Sequence, residues 1–132
     1  MIELHGWLSV VETYKDEDQL LQFELNLINE DIKEIVYAQD SGVELRYING
    51  SAFINTIYCS NHYTQEVDDI IDIYKKITSI ATGSYGMLYI RDDEDLNHYN
   101  DFQVYVFKRG TYFTRTDTDL SPCIPTIEDT VI

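Results

Sequence analysis

The residues best suited to chemistry form an acidic run in the second half of the chain. The run consists of Asp92, Asp93, Glu94 and Asp95, with His98, Tyr99 and Asp101 shortly after it. Carboxylate oxygens in a loop are ligands that Ca²⁺ and Mg²⁺ prefer, but the run lacks the glycine and the alternate-residue spacing of a calcium loop. We therefore interpret it as an acidic loop that is either solvated or in contact with a protein.

An enzyme would need a second set of residues to act as base, nucleophile or electrophile. The sequence contains no GxSxG, HExxH, P-loop or Cys-His pattern. His5, His62 and His98 are far apart, and no two of them have the spacing of metal ligands on one helix. We expect no enzyme, no cofactor and no metal site, and a metal-dependent enzyme is the least favoured alternative.

The charge of the chain limits the partners that it can attract. The 132 residues include 24 acidic and 9 basic side chains, which gives a formal charge of −15. A field of this sign repels phosphate backbones and anionic lipid headgroups and attracts basic proteins. We expect a protein partner and neither nucleic acid nor membrane.

No apolar run approaches the ~20 residues of a membrane span, and the N-terminus lacks a signal-peptide pattern, so we expect a cytoplasmic protein.

The two cysteines, Cys59 and Cys123, are distant in sequence and have no CxxC spacing. In a reducing compartment, such thiols more often act as small buried hydrophobic residues than as a disulfide or a metal site. We expect the buried role for both.

The first half of the chain predicts a strand, a helix and a hairpin. Residues 2–11 alternate between two faces, as a strand requires. A long amphipathic helix follows, with Asn29 as a candidate point of interruption and apolar residues at Leu21, Leu25, Ile28, Ile32 and Ile35. Residues 43–48 and 52–59 are rich in β-branched and aromatic residues, and Asn49-Gly50 between them is typical of a type I′ hairpin turn.

The second half predicts another helix and three strands. The helix begins after Thr64, carries Asp68, Asp69 and Asp72 near its start, and is expected to end at Gly83 in the left-handed conformation. Strands are predicted over residues 85–91, 102–107 and 111–115. Pro122 and Pro125 then forbid a helix or a central strand, so residues 120–132 are expected to be an extended C-terminal segment of a single domain spanning residues 1–132.

The resulting order, β-α-β-β-α-β-β-β, favours an α+β fold with two helices on one face of a mainly antiparallel sheet. If the aliphatic side of each strand faces the helices, the opposite face collects His5, Trp7, Tyr85, Met87, Tyr89, Arg91, Gln103, Tyr105 and Phe107. Base stacking on such a face would need a basic surface, which this chain lacks. The cover is the C-terminal segment, a second copy in a weak homodimer, or a partner. We predict that Trp7, Tyr89 and Tyr105 share this face and are partly covered by residues 120–127.

Three segments of the sequence are similar to a known family. They are I-E-L-H-G-W-L at residues 2–8, G-S-Y-G-M-L-Y-I-R-D-D-E-D at residues 83–95 and L-S-P-C-I-P-T-I-E-D at residues 120–129. Together, and in this order, they resemble the immunity protein 7 family of bacterial polymorphic-toxin systems. The resemblance implies a small cytoplasmic protein, without catalytic residues, that binds the C-terminal domain of a toxin, often a nuclease, and protects the producing cell. Residues 16–63 match the family only in character.

An acidic, tyrosine-rich domain without catalytic groups is compatible with opposing a basic, phosphate-seeking enzyme by stoichiometric binding. We expect the toxin-facing surface to comprise the loop at residues 92–101, with Tyr99 as an aromatic anchor, and the acidic helix start. Its candidate residues are Asp92, Asp93, Glu94, Asp95, Tyr99, Asp101, Asp68, Asp69 and Asp72. A toxin bound instead to the hairpin or the first helix is one alternative. The competing functional class is a regulatory protein that mimics nucleic acid.

Overall fold

Two helices and six strands follow one another in the predicted order. The structure is a computed structural model that describes residues 1–13, 22–37 and 42–120. Its elements are β1 (Ile2–Val10), α1 (Gln22–Tyr37), β2 (Val43–Ile48), β3 (Ser51–Ser60), α2 (Gln65–Ile80), β4 (Tyr85–Asp92), β5 (Gln103–Lys108) and β6 (Thr111–Thr116). The predicted α+β class and element order are confirmed.

The strands form one sheet in the order β2-β3-β1-β4-β5-β6, with every neighbouring pair antiparallel. Strand β1 lies in the middle, where it pairs with β3 on one side and β4 on the other. Its residues Ile2, Leu4 and Leu8 are fully buried on the face that packs against the helices. We call the other side of the sheet the open face.

The core between sheet and helices is largely apolar, and its buried polar groups include one hydroxyl pair. Helix α2 supplies more of its buried apolar residues than any other element, the strands supply most of the rest, and α1 adds Ile32 and Val36. The Tyr74 hydroxyl, on α2, donates to Thr56 Oγ1 on β3 at 2.8 Å. A Cβ at Gly6 would lie 2.7 Å from that hydroxyl, so the glycine provides the space in which the Tyr74 side chain sits.

The predicted hairpin turn is confirmed, and a second turn repeats it. Asn49 and Gly50 have φ values of 52° and 78°, the left-handed pair that a type I′ turn needs. Arg109 and Gly110, between β5 and β6, have φ values of 50° and 79°. Both turns join neighbouring antiparallel strands directly, so they set the register of the two outer hairpins.

Two predictions about the helices were wrong. Helix α1 continues through Asn29 without interruption. Helix α2 ends at Ile80 with Ala81 as its C-cap, and Gly83 is not left-handed. The predicted start of α2 after Thr64 is confirmed: Thr64 occupies the N-cap position, although its hydroxyl bonds to that of Tyr58 at 2.8 Å and caps no backbone N–H of the helix. A Cβ at Gly83 would lie 2.5 Å from the carbonyl oxygen of Thr13, so close backbone approach is what requires glycine there.

The predicted side-chain direction in β5 was also wrong. Tyr105 pairs with the fully buried Leu88, so its ring points toward the helices and not toward Trp7 and Tyr89. Gln103 and Phe107 share this direction, whereas Val104 and Val106 lie on the open face. Phe107 packs on Tyr74 of α2 with ring centres 5.5 Å apart, and Tyr105 stacks on Phe107 at 6.2 Å, so aromatic rings fill this part of the interface between the sheet and α2. Lys75 of α2 accordingly places its ammonium 5.9 Å from the Tyr105 ring centre.

The expectation for the cysteines was wrong for Cys59, which is exposed. Cys59 pairs with Glu3 on the open face, at the end of β3, where no helix covers it. Cys123 and the predicted extended segment from residue 121 onward lie outside the described residues. The same holds for Leu21 and for the side chain of Leu25.

Candidate functional site

The topology brings the acidic loop and the acidic helix start to one end of the sheet. Strands β3 and β4 are both antiparallel to β1, so their C-terminal ends lie on the same side. Helix α2 begins shortly after β3, and the acidic loop follows β4. His62 Nδ1 lies 2.6 Å from Glu94 Oε1 and joins the two segments. We call this region, residues 62–72 with residues 92–101, the acidic end.

A cleft of about 210 Å³ lies between the two parts of the acidic end. Its lining combines aromatic and aliphatic side chains with carboxylates. The lining residues are Tyr63, Ile71, Ile90, Asp92, Asp95, His98, Asp101, Gln103 and Tyr105. The cleft therefore combines an apolar wall with three acidic side chains, which suits a group that has an aliphatic stem and a positively charged head.

Several of the predicted carboxylates also hold the loop in shape. Asp92 Oδ1 accepts a hydrogen bond from the Glu94 backbone N–H at 3.0 Å, and Asp95 Oδ1 accepts one from Asn97 at 2.9 Å. Such local bonds favour turns. Asp101 Oδ2 lies 3.6 Å from His98 Nδ1. Each of these carboxylates still has acceptor capacity for a partner.

Asp93 ties the acidic loop to the start of β1. Its carboxylate pairs with the amino group of Met1, and its backbone N–H donates to the Met1 carbonyl at 3.1 Å. The pairing of β1 with β4 thus continues one residue beyond the strand. Asp93 and Glu94 are both exposed and close to the rim of the cleft.

The three acidic residues of α2 differ in their relation to the cleft. Asp68 accepts a hydrogen bond from the Tyr63 hydroxyl, and Tyr63 lines the cleft. Burial raises the pKa of the Tyr63 phenol, and the bond to Asp68 raises it further. Asp69 accepts from Gln65 Nε2 at 3.2 Å, whereas Asp72 is exposed one turn further along α2. The structure therefore brings Asp68 to the cleft and places Asp69 and Asp72 on the flanking helix surface.

The most exposed apolar side chain of the loop is one that the sequence analysis missed. Leu96 is 93% exposed, and Tyr99 is 57% exposed. In the sequence, Leu96 could be recognised as a candidate anchor only because it is the one leucine in an otherwise polar, turn-forming segment. An apolar side chain held in water gains free energy when a partner covers it, so Leu96 joins Tyr99 as a candidate anchor.

A buried ion pair secures the strand that leads into the loop. Arg91 is only 5% exposed, and its Nη2 and Nε lie 2.9 and 3.1 Å from Glu3 Oε1. Glu3 Oε2 also bonds to His5 Nε2 at 2.8 Å. Because both partners are strand residues, the pair joins β1 to the end of β4, directly before Asp92.

Within residues 1–13, 22–37 and 42–120, no group of three or more His, Cys, Asp or Glu side chains is arranged to hold a metal ion. No helix in this part of the chain is long and apolar enough to cross a bilayer.

Comparison with protein families decides the relationship of this chain. The family model described as immunity protein 7 matches residues 1–129. The chain belongs to the immunity protein 7 family. Membership makes it an immunity protein, which implies a cognate toxin protein as its partner. Neither the comparison with curated proteins nor that with solved structures gave a match.

Two of the three similar segments of this immunity protein 7 chain lie within the described residues. Residues 2–8 lie in the central strand β1, and residues 83–95 include β4 and the beginning of the acidic loop. Both surround the buried pair of Arg91 and Glu3. The third similar segment, from residue 121 onward, lies outside the described residues.

We predict that Glu3 makes stability depend on pH. Its hydrogen bond to His5, together with the bond to Arg91, lowers the pKa of Glu3 below its ordinary value of 4.5. A lowered pKa means that the stabilisation is complete above pH 4.5 and is lost as the pH falls through the pKa of the folded state. Glu3→Gln should therefore lower the melting temperature at neutral pH and reduce its further decrease in acid.

Melting temperatures measured against pH for the wild type and Glu3→Gln test this. Glu44→Gln serves as control, because Glu44 lies on the same face but is exposed. Equal acid sensitivity of wild type and Glu3→Gln would contradict the assignment.

Proposed function

We propose that this chain neutralises its toxin by stoichiometric binding through the acidic end, and that the toxin is a basic protein, such as a nuclease. The observation that supports this most directly is the convergence of the loop and α2 around one cleft, beside the exposed Leu96 and Tyr99. The binding is non-catalytic, and the protein acts in the cytoplasm as a monomer or weak homodimer.

Charge would bring the two proteins together. Eight candidate carboxylates lie at this end of a chain whose formal charge is −15. A nuclease that binds phosphate backbones carries the opposite sign. Complementary fields of this kind raise association rates and favour the correct orientation. Screening by salt then weakens the attraction, because exposed charges act over about 10 Å at 0.1 M ionic strength.

The cleft would receive a basic side chain of the toxin. A lysine or arginine can place its stem against Ile71 and Tyr105 while its charged head meets Asp92, Asp95 or Asp101. Leu96 and Tyr99 would be covered at the same time by the surface around that side chain. A few such desolvated contacts commonly supply most of the binding free energy of a protein interface.

The first test concerns stoichiometry. Titration of the purified cognate toxin with this protein should abolish toxin activity at about one equivalent, since a binding inhibitor occupies one toxin molecule at a time. Toxin activity at each ratio is the measurement. Full inhibition at strongly substoichiometric amounts would mean that the protein acts as an enzyme, and the proposal would fail.

The second test separates the acidic end from other acidic surfaces. The combined variant Asp93→Asn, Glu94→Gln and Asp95→Asn removes three charges and keeps side-chain acceptors, including the one that bonds to Asn97. It should slow association with the toxin and flatten its dependence on salt. Association rates at several ionic strengths measure the effect.

A matched control removes the same charge from α1. Glu30→Gln, Asp31→Asn and Glu34→Gln change three exposed carboxylates of that helix. This variant should retain most of the wild-type association rate. If it slows association and the loop variant does not, the toxin binds at the first helix and the acidic end is not the site.

The third test concerns the anchors. Leu96→Ala and Tyr99→Ala should each raise the dissociation rate about tenfold, which corresponds to ~1.4 kcal/mol. Tyr37→Ala is the control, because Tyr37 is 67% exposed but lies at the end of α1. Unchanged dissociation for both loop variants would remove these residues from the interface.

A further inference from the structure

One region of this acidic chain carries the opposite charge. Residues 73–80, in the second half of α2, and residues 102–116, which include the β5-β6 hairpin, contain five basic residues and no aspartate or glutamate. The two stretches adjoin, because a Cβ at Gly110 in the hairpin turn would lie 3.4 Å from Thr82, just after α2. We call this region the basic edge. Its basic residues are Lys75, Lys76, Lys108, Arg109 and Arg115.

The five cations of the basic edge have no counter-charge within the described part of the chain. Every basic residue except Lys15 lies in that part. Lys33, Arg46 and Arg91 each pair with a glutamate. The other five make no ion pair with any residue that the structure describes. The basic edge therefore has positive charge available for a carboxylate from outside the molecule.

Aromatic rings of β6 hold three of these cations. On the open face, Lys108 Nζ lies 5.5 Å and Arg115 Cζ 4.7 Å from the centre of the Phe113 ring. On the helix side, Lys75 Nζ lies 4.6 Å from the centre of the Tyr112 ring. Because Tyr112 and Phe113 are neighbours in the strand, positive charge flanks both sides of β6.

Strand β6 is also an edge of the sheet, with β5 as its neighbour on one side and no strand beyond it in the described residues. A two-residue turn makes the residues that flank it, Lys108 and Thr111, a hydrogen-bonded pair. Such pairs alternate with non-bonded pairs along an antiparallel ladder. The backbone groups of Tyr112 and Thr114 therefore point away from β5.

These outward groups are available to another strand. The Thr114 carbonyl accepts a hydrogen bond from Arg115 Nη1 at 3.2 Å. The N–H groups of Tyr112 and Thr114 make no hydrogen bond to any described residue. A row of free backbone groups at a sheet edge is the surface to which an extended peptide adds as a further strand.

We propose that the basic edge binds an extended acidic segment of a partner protein, which pairs with β6 as a seventh strand of the sheet. The backbone of the segment bonds to the outward groups of Tyr112 and Thr114, and its carboxylates meet Lys108 and Arg115 on the open face and Lys75 on the helix side. This interface is separate from the acidic end.

Charge distinguishes this occupant from a second copy of the chain. Two copies paired through β6 would bring the Lys108 and Arg115 side chains of both together, and like charges in an interface are costly. Single-stranded nucleic acid matches the charge of the basic edge. It supplies no row of N–H donors for the outward carbonyl groups, however, so it cannot continue the sheet.

The negative charge of the rest of the molecule acts weakly on the far part of this edge. Gln103 begins β5 directly after the acidic loop, and Lys108 ends the strand. Five residues at ~3.4 Å each separate the two by about 17 Å. Exposed charges act over about 10 Å at 0.1 M ionic strength, so an acidic segment along the hairpin responds mainly to the local cations.

Binding of synthetic peptides to the full chain tests the proposal. An acidic peptide of about ten residues, with alternating glutamate and valine and blocked ends, should bind, and salt should weaken the binding. A peptide with lysine in place of glutamate should not bind. The acidic peptide with every backbone nitrogen methylated keeps its charge but has no N–H donors, so it should not bind either. Absence of binding by the acidic peptide, or equal binding by its methylated form, would overturn the proposal.

A pair of charge variants locates the site. Lys108→Gln with Arg115→Gln should weaken binding of the acidic peptide about tenfold or more. Lys33→Gln with Arg46→Gln removes two basic residues elsewhere and should bind like the wild type. Equal loss in both variants would contradict the location. The first variant should still neutralise the toxin, so this test is independent of the proposed function.

Amide hydrogen exchange of the wild type shows what occupies the edge. The amides of Tyr112 and Thr114 should exchange rapidly in the free chain and slowly when the acidic peptide is bound. Protection in the free chain at every concentration would mean that the chain covers its own edge, and protection that grows with concentration would indicate a second copy. A short single-stranded DNA that binds more tightly than the acidic peptide would assign the edge to nucleic acid. Each of these three results would overturn the proposal.

Discussion

The placement of Tyr74 over Gly6 is the contact on which the rest of the structure depends. Gly6 lies in the middle of the central strand, and a Cβ there would approach both the Tyr74 hydroxyl and Leu88 to within 2.7 Å. Its absence lets α2 lie across β1, while the hydroxyl reaches Thr56 on the next strand. A buried hydroxyl without a partner is costly, so this bond also favours one position of the helix over its neighbours.

That position of α2 determines where the acidic groups meet. The helix starts beside the C-terminal ends of β3 and β4. These ends lie at the same edge of the sheet because both strands run antiparallel to β1, which lies between them. Its first turns therefore face the loop that follows β4, and the cleft forms between them. The Arg91 and Glu3 pair secures the end of β4 from the other side of the sheet. The acidic end is thus carried by a rigid scaffold, although its candidate contacts lie mostly in a loop.

The sheet also separates charges of opposite sign. Acidic side chains gather at the end where the loop meets α2, whereas the basic side chains that make no ion pair in the described part of the chain lie on the second half of α2 and on the β5-β6 hairpin. A protein with uniformly spread negative charge would attract a basic partner from every direction. The observed separation directs the attraction to one region, which favours a single orientation of encounter.

Local alternation and turn chemistry, which can be read from the residues alone, were enough to predict the order of the elements, the α+β class, the hairpin at Asn49-Gly50 and the side-chain directions in β1 and β4. Three segments of the sequence also indicate the family. The tertiary structure alone decided which side of β5 faces the helices: both sides are apolar, and only pairing of Tyr105 with Leu88 distinguishes them. It likewise showed that Gly83 is required because the backbone of Thr13 approaches it closely, and not because helix α2 ends there in the left-handed conformation. Leu96 became visible as a candidate anchor only through its exposure, since an apolar residue type does not reveal whether the fold buries it.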